Sequence, residues 1–67
     1  MNLYHVTVPY GRGEMTGRYL VGARSPLKAK RLGNDAAPCH APLHQVKCRK
    51  IEGVKYTGNE PAVVERL

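Results

Sequence analysis

Two short segments near the start of the chain have an apolar pattern with a period of two, and this alternation most constrains the fold. In residues 3–8 and again in residues 18–23, every second side chain is apolar. A period of two is typical of a strand that buries one face. Glycines lie between the segments, which therefore predict a β-hairpin with a loop over residues 9–16. Tyr10 and Arg12 would be exposed in this loop and form a candidate contact loop.

A helix is predicted directly after the hairpin. The hydroxyl oxygen of Ser25 can accept a hydrogen bond from the first turn, and Pro26 at the first helical position loses no helical hydrogen bond. Residues 27–32 are good helix formers, and Gly33 is a plausible stop, which gives about two turns. If the helix accepts Gly33 in its interior, it continues to Ala37 and the following proline ends it.

The second half of the chain predicts further strands. Residues 44–51 alternate as a third strand, the Glu-Gly pair at 52–53 predicts a turn, and residues 54–57 predict a shorter strand. Residues 58–67 form either a loose tail or a last edge strand. The sequence therefore predicts one α+β domain over residues 1–67, a small antiparallel sheet of three to four strands in the order ββαβ(β) with one short helix packed on one face.

Positive charge is concentrated in the middle of the chain. Eight of the eleven Lys and Arg residues lie between Arg18 and Lys50, where Asp35 is the only acidic residue, and the formal net charge is +6. A field of this sign favours encounters with nucleic acid or with the acidic face of a protein. The candidate partner-binding residues are Arg18, Lys28, Lys30, Arg31, Lys47 and Arg49.

Strand alternation divides these candidates between two surfaces. If Val6, Val21 and Cys48 face the helix, the opposite side of the sheet becomes an open face with a basic patch and some apolar content. The residues predicted on this open face are His5, Arg18, Leu20, Lys47 and Arg49. We call Arg18, Lys47 and Arg49 the strand group. We call Lys28, Lys30 and Arg31 the helix group. The two groups lie on opposite layers, so one flat partner cannot contact both.

Four potential zinc ligands, Cys39, His40, His44 and Cys48, fall within ten residues of one another. Thiolate and imidazole are the donors that a structural zinc site uses. The segment lacks a CxxC pair, however, and Cys48 falls inside a predicted strand, where its side chain would enter the core. We therefore expect free thiols and solvated histidines, with no metal or other cofactor.

Cys39, His40 and His44 are also the residue types of a cysteine nucleophile site or of a ribonuclease-like histidine site. Asp35 is the only carboxylate in that region, and we expect none near enough to orient an imidazole. A domain of this size also rarely provides the walls of a pocket of roughly 300 Å³. We therefore expect a binding protein rather than an enzyme.

The chain offers no segment suited to a membrane. No run of about 18 apolar residues is present, and the alternating N-terminal segment differs from a signal peptide. We therefore expect a cytoplasmic protein without a membrane partner, in which cysteines stay reduced.

Direct nucleic-acid binding is an alternative that the tyrosines do not favour. Sheets that bind single strands present exposed aromatic rings between basic residues, so that bases stack on the rings. By alternation, Tyr4 and Tyr19 face the core instead. Contact with DNA or RNA phosphates through the basic residues stays open, and would make the protein a sequence-independent accessory protein.

The layout of the chain resembles that of small phage-encoded inhibitors. It combines an alternating hairpin, the junction Ala-Arg-Ser-Pro-Leu-Lys-Ala-Lys at residues 23–30, and Cys39-His40 before a basic strand. In this order it is similar to one type I anti-CRISPR group over roughly residues 3–51. Small phage inhibitors of bacterial RNA polymerase are similar in architecture.

The resemblance implies a non-catalytic inhibitor that acts in the cytoplasm of an infected bacterial host. Such a protein would dock its basic face on a multi-subunit complex that handles nucleic acid and block DNA recognition. A CRISPR surveillance complex is the favoured partner, and host RNA polymerase is an alternative. Complexes of this kind expose both acidic protein patches and nucleic acid, so a basic face suits either contact.

Overall fold

A four-stranded antiparallel sheet with one helix forms the described part of the chain, residues 1–11 and 14–67 of a computed structural model. The elements are β1 (Asn2–Tyr10), β2 (Met15–Ala23), α1 (Pro26–Ala36), a 3-10 turn (Leu43–Gln45), β3 (Lys47–Lys55) and β4 (Ala62–Arg66). Their order across the sheet is β3-β1-β2-β4. The predicted α+β fold class is confirmed.

The β1–β2 hairpin is longer than predicted. Its pairing runs from Asn2 opposite Ala23 to Tyr10 opposite Met15, so the predicted loop over residues 9–16 is too long. Proline is compatible with extended backbone at this end of the strand, where the loss of one donor costs little. Tyr10 therefore ends β1 as a half-buried strand residue, and the prediction for Arg12 lies outside the described residues.

The helix begins as predicted and takes the longer of the two predicted courses. The backbone N–H of Lys28 donates to the Oγ of Ser25 at 3.3 Å, which caps the first turn. Gly33 lies inside the helix and is buried against β1, where an added Cβ would lie 2.6 Å from Cγ1 of Val6. Glycine therefore serves close packing at this position rather than helix termination. No helix in the described ranges is long and apolar enough to cross a membrane.

The core lies between α1 and the sheet face that α1 covers. It is built from the alternate residues of β1 and β2, as the period of two predicts, together with small side chains of the helix and the residue before β3. Its buried apolar members are Tyr4, Val6, Val8, Tyr19, Val21, Ala23, Ala29, Ala37 and Val46. Because four of the six buried hairpin residues are valine or alanine, the helix can approach the sheet closely.

The third strand begins later than predicted. Residues 43–45 form a 3-10 turn, in which the N–H of Gln45 donates to the carbonyl of Pro42 at 2.9 Å and the N–H of Val46 to that of Leu43 at 3.1 Å. These local bonds take up backbone groups that strand pairing would need. The prediction of a strand from residue 44 is therefore wrong at its start, and His44 is not a strand residue.

The predicted turn at residues 52–53 is also wrong. β3 continues to Lys55, and the register against β1 jumps from Lys50 opposite Tyr4 to Lys55 opposite Asn2. Gly53 has φ of +76°, which only glycine adopts without strain, and it accommodates the extra residues as an irregular bulge. The glycine signal was real, but it marks a bulge within one strand rather than a reversal between two.

The last ten residues include a short edge strand rather than only a loose tail. β4 pairs with β2 through Val63 opposite Val21 and Ala62 opposite Gly22. Beyond the strand, the N–H of Leu67 donates to the carbonyl of Arg18 at 2.8 Å. The connection from β3 must therefore pass from one edge of the sheet to the other.

Candidate docking surface

The strand group lies on the face of the sheet opposite α1, as alternation predicted. Lys47 and Arg18 lie on either side of Thr7, one on each neighbour of the central strand β1. Neighbouring strands are about 4.8 Å apart, so these two basic residues are about 10 Å apart at their Cα atoms. Both side chains are exposed. The arrangement presents two cations to one partner surface.

A second row of side chains crosses the open face beside the first. It runs from Arg49 through His5 and Leu20 to Glu65 on β4. The positive charge therefore lies towards β3 and the one carboxylate of this row lies at the opposite edge. Because Arg49 and Lys47 are two residues apart on the same strand, their Cα atoms are separated by about 7 Å. The open face is thus electrically polarised from β3 to β4.

The open face is partly covered at one end by Tyr56, which the sequence analysis missed. The N–H of Tyr56 donates to the carbonyl of Met1 at 3.1 Å, and its ring packs directly over Gly22 on the open face. The ring also lies against Gly58, so a side chain at either glycine would overlap it. In the sequence, the only signals of this contact are the glycines at positions 22 and 58. Gly22 is far from Tyr56 along the chain, so only the tertiary structure shows that the two meet.

The helix group lies on the other layer and is divided in its exposure. Lys28 and Arg31 are exposed, whereas Lys30 is half-buried. Burial raises the pKa of the Cys48 thiol, and the positive charge of Lys30 opposes that effect. Cys48 lies on the helix side of β3, so Lys30 and Cys48 are on the same side of the sheet.

Two further lysines, Lys50 and Lys55, extend the positive charge of β3 and were not among the predicted binding residues. Both are exposed. Lys50 is opposite Tyr4 and therefore on the helix side of the sheet, while Lys47 is on the open face. Strand β3 thus carries cations towards both faces. Sequence alternation alone could have assigned these sides, but only the strand order shows that β3 is an edge strand.

The connector after the helix is held by one buried side chain. Asn34, which is 8% exposed, donates from Nδ2 to the carbonyl of Ala41 and accepts from the N–H of Ala41, both at 2.8 Å. A pair of such bonds satisfies both polar ends of the amide and fixes the loop in one place. The connector that carries Cys39 and His40 is therefore ordered by the helix.

The structure does not bring the four candidate zinc ligands together. Cys39, His40 and His44 are exposed, and Cys48 is half-buried on β3. Within the described ranges, no three His, Cys, Asp or Glu side chains are placed to hold a metal ion. Both cysteines are free thiols.

One expectation about the histidines is wrong. The Nε2 of His40 lies 3.5 Å from the Oδ1 of Asp35, so a carboxylate does lie next to an imidazole. The side chains are 69% and 71% exposed, respectively, and an exposed pair of this kind contributes little to stability. The contact lies next to Cys39 in sequence, but it does not by itself supply a nucleophile with a base.

Two open surface clefts lie on the domain. One has a volume of about 390 Å³ and lies at the bulge of β3, between Lys50 and Lys55. The other, of about 370 Å³, lies between the end of the hairpin at Tyr10 and the connector at Cys39 and Gln45. Both are open to solvent and differ from the walled pocket of roughly 300 Å³ that a small domain rarely provides.

Comparison of the chain with protein-family models, with curated proteins and with solved structures found no match. The fold and its surface therefore define the protein by class: a small antiparallel α+β domain with a basic, partly apolar open sheet face.

Proposed function

We propose that this protein is a non-catalytic inhibitor that docks the open face of its sheet on a multi-subunit complex handling nucleic acid, with a CRISPR surveillance complex as the favoured partner. The observation that carries the docking surface is the strand group. Arg18, Lys47 and Arg49 are exposed on one face, with their Cα atoms within about 12 Å of one another.

The composition of the open face supports contact with a protein. Half-buried Leu20 and His5 lie between the basic residues, so the face combines apolar area with charge. Protein interfaces typically combine an apolar centre with a polar rim, and complementary charge raises the rate of association. The choice of a CRISPR complex rests on the resemblance of residues 23–30 and of Cys39-His40 to small phage inhibitors.

The structure also offers support for the choice of a protein over single-stranded nucleic acid. Tyr4 and Tyr19 are buried beneath α1, and Tyr56 packs over Gly22. The two core tyrosines therefore cannot stack on bases at the open face. Base stacking, worth about 1–3 kcal/mol per base, would be lost at such a surface.

A plasmid-interference assay tests the proposed function. Bacteria that carry a type I CRISPR system targeting a plasmid are transformed with that plasmid, with and without this protein. The protein is expected to restore transformation. Reversal of the strand group in the triple variant Arg18→Glu, Lys47→Glu, Arg49→Glu is expected to abolish that effect. If the CRISPR system still blocks transformation when the wild-type protein is present, the CRISPR partner is refuted.

The matched control reverses charge on the opposite layer. The double variant Lys28→Glu, Arg31→Glu changes exposed residues of α1 and is expected to keep inhibitory activity. Equal loss in both variants would show an effect of net charge rather than of the open face. Circular dichroism of each variant establishes that the fold persists.

Purified protein distinguishes the alternative partners. A free-standing nucleic-acid-binding protein would shift naked DNA or RNA with an affinity that falls steeply as salt rises. An inhibitor of host RNA polymerase would instead lower transcription from a purified polymerase and leave plasmid interference intact. Either result, with no effect on interference, would replace the favoured partner with that alternative.

A further inference from the structure

Positive charge lies on both sides of one edge of the sheet, and that edge is β3. The strand order places β3 outermost, and in the described part of the chain nothing pairs with its outer side. Lys47 and Arg49 lie on its open-face side, while Lys50 lies on its helix side. A partner that reaches around this edge can contact cations on both sides of the sheet.

Residues 47–50 are the regular part of this edge. Each of them pairs with one residue of β1 in an unbroken register. The irregular bulge begins only after Lys50. An edge strand exposes a row of unpaired backbone N–H and C=O groups on its outer side. Main-chain hydrogen bonds to an added strand would satisfy these groups.

The charge on β3 selects against a second copy of this chain. Pairing two β3 edges would bring Lys and Arg side chains next to one another, and like charges on neighbouring strands are destabilising. Basic edge residues commonly prevent such self-association. The same residues would favour a strand that carries carboxylates.

The chemistry of the two sides of β3 specifies the partner further. Carboxylates on one side of an added strand would lie beside Lys47 and Arg49. On the other side the neighbours are half-buried Cys48, whose position suits an apolar side chain, and exposed Lys50, which adds a cation at the end of the regular pairing. A strand in which acidic and apolar residues alternate meets both conditions because its side chains point alternately to the two faces.

We propose that the outer side of β3 binds an extended, acidic polypeptide segment as a fifth strand of the sheet. This inference rests on the proposed docking function and names the chemistry of the partner: a protein segment with alternating acidic and apolar residues. Docking then combines backbone pairing at residues 47–50 with ion pairs on the open face. A nucleic acid would use the same cations but cannot continue the sheet.

A synthetic peptide tests this edge directly. The probe is an acetylated and amidated peptide of alternating Glu and Val, about eight residues long, which spans β3 at about 3.3 Å per residue. Its affinity for the full chain is measured by fluorescence anisotropy, and the backbone amides are followed by NMR and hydrogen exchange. Slowed exchange confined to β3 is expected.

Two comparison ligands separate backbone pairing from charge. A peptide of alternating Glu and Pro has the same charge but lacks every second N–H donor, so it is expected to bind at least about tenfold more weakly, which is 1.4 kcal/mol. A single-stranded oligonucleotide of matched charge is expected not to protect the amides of β3. Equal affinity of the two peptides, or protection by the oligonucleotide, would overturn the proposal.

Charge variants locate the contact. Arg49→Glu is expected to weaken binding of the Glu-Val peptide about tenfold, and the milder Arg49→Gln keeps the test valid if the reversal disturbs the fold. Arg66→Glu on β4 is the matched control and is expected to leave affinity unchanged, because Arg66 lies at the opposite edge. Equal losses at both edges would overturn the proposed location.

The outcome is separable from that of the proposed function. If the peptide fails to bind the wild-type protein while plasmid interference is still inhibited, the proposed fifth strand is wrong and the docking function stands. If the peptide protects β3 but the protein leaves plasmid interference by the CRISPR system unchanged, the edge binds acidic strands and the proposed CRISPR partner is wrong.

Discussion

Replacement of Gly33 by alanine tests the packing of the helix on the sheet. The contact between Gly33 and Val6 determines whether this change raises or lowers the free energy of unfolding. In an ordinary helix, this change stabilises by about 1 kcal/mol because alanine is the better helix former. Here the new Cβ would lie 2.6 Å from Cγ1 and 3.1 Å from Cβ of Val6. Carbon atoms in relaxed contact are about 3.5–4.0 Å apart, so helix and sheet must separate by about 1 Å.

The overlap should outweigh the gain in helix propensity. Val6 is fully buried, and a β-branched side chain has little freedom to rotate away. Overpacking of this kind costs about 1–3 kcal/mol, so after the gain in helix propensity Gly33→Ala is expected to destabilise by up to about 2 kcal/mol net. At about 0.05–0.15 kcal/mol per residue, a domain of this size has roughly 3–10 kcal/mol in total. The loss would therefore be a large share of its stability.

Urea unfolding, monitored by circular dichroism, measures the effect of Gly33→Ala on stability. With a slope of about 1 kcal/mol per molar urea, the midpoint should fall by up to about 2 M. The same substitution in a Val6→Ala background should be neutral or stabilising, because the methyl groups that it meets are gone. The Val6→Ala change itself costs about 2–3 kcal/mol. A stabilising osmolyte is therefore added equally to the wild type, the two single variants and the double variant.

The double-mutant cycle makes the reasoning refutable. A coupling free energy of about 2 kcal/mol between the two positions is expected, since they are in direct contact. If Gly33→Ala stabilises the wild-type protein, or destabilises both backgrounds equally, the close approach of α1 to β1 does not limit the side chain at this position.

Three further predictions concern other parts of the fold. Asn34→Ala should destabilise by about 1–3 kcal/mol and speed hydrogen exchange at Ala41, because both backbone partners of the amide are lost. Gly22→Ala should displace the ring of Tyr56, which NMR would detect as a shift of its ring protons, at a cost of about 1–3 kcal/mol. Burial raises the pKa of Cys48 above its ordinary value of 9.0, so its contribution to stability should be present below pH 9 and lost as the pH rises through the raised value.

Each of these predictions has a matched control. Asp35→Ala changes the exposed neighbour of Asn34 and should leave Ala41 exchange unchanged. Gly22→Ala should be nearly neutral when Tyr56 is already alanine, and an equal cost in that background would contradict the packing. Cys48→Ser should flatten the fall of the urea midpoint above pH 9; an unchanged slope would assign that fall to other groups.

Local patterns were sufficient for the elements that depend on neighbours in sequence. The alternation in β1 and β2 located the buried face correctly, because a strand that packs on one side needs a period of two. The Ser25-Pro26 pair located the start of α1, since capping involves only the first turn. The same alternation assigned the strand group to the open face.

Signals that depend on distant contacts were misread. Gly33 resembled a helix stop, but its role is set by the distance to Val6 across the core. Gly53 resembled a turn, but it forms a bulge because β3 has β1 to pair with on both sides of it. A glycine shows where the backbone is permissive; the surrounding structure determines how that freedom is used.

The sequence by itself determined the fold class, the hairpin, the start of the helix and the division of the basic residues between two layers. Only the tertiary structure decided that β3 lies at an edge and that Tyr56 covers one end of the open face. The reason is physical: alternation and capping act over a few residues, whereas strand order depends on which elements bury their apolar faces together.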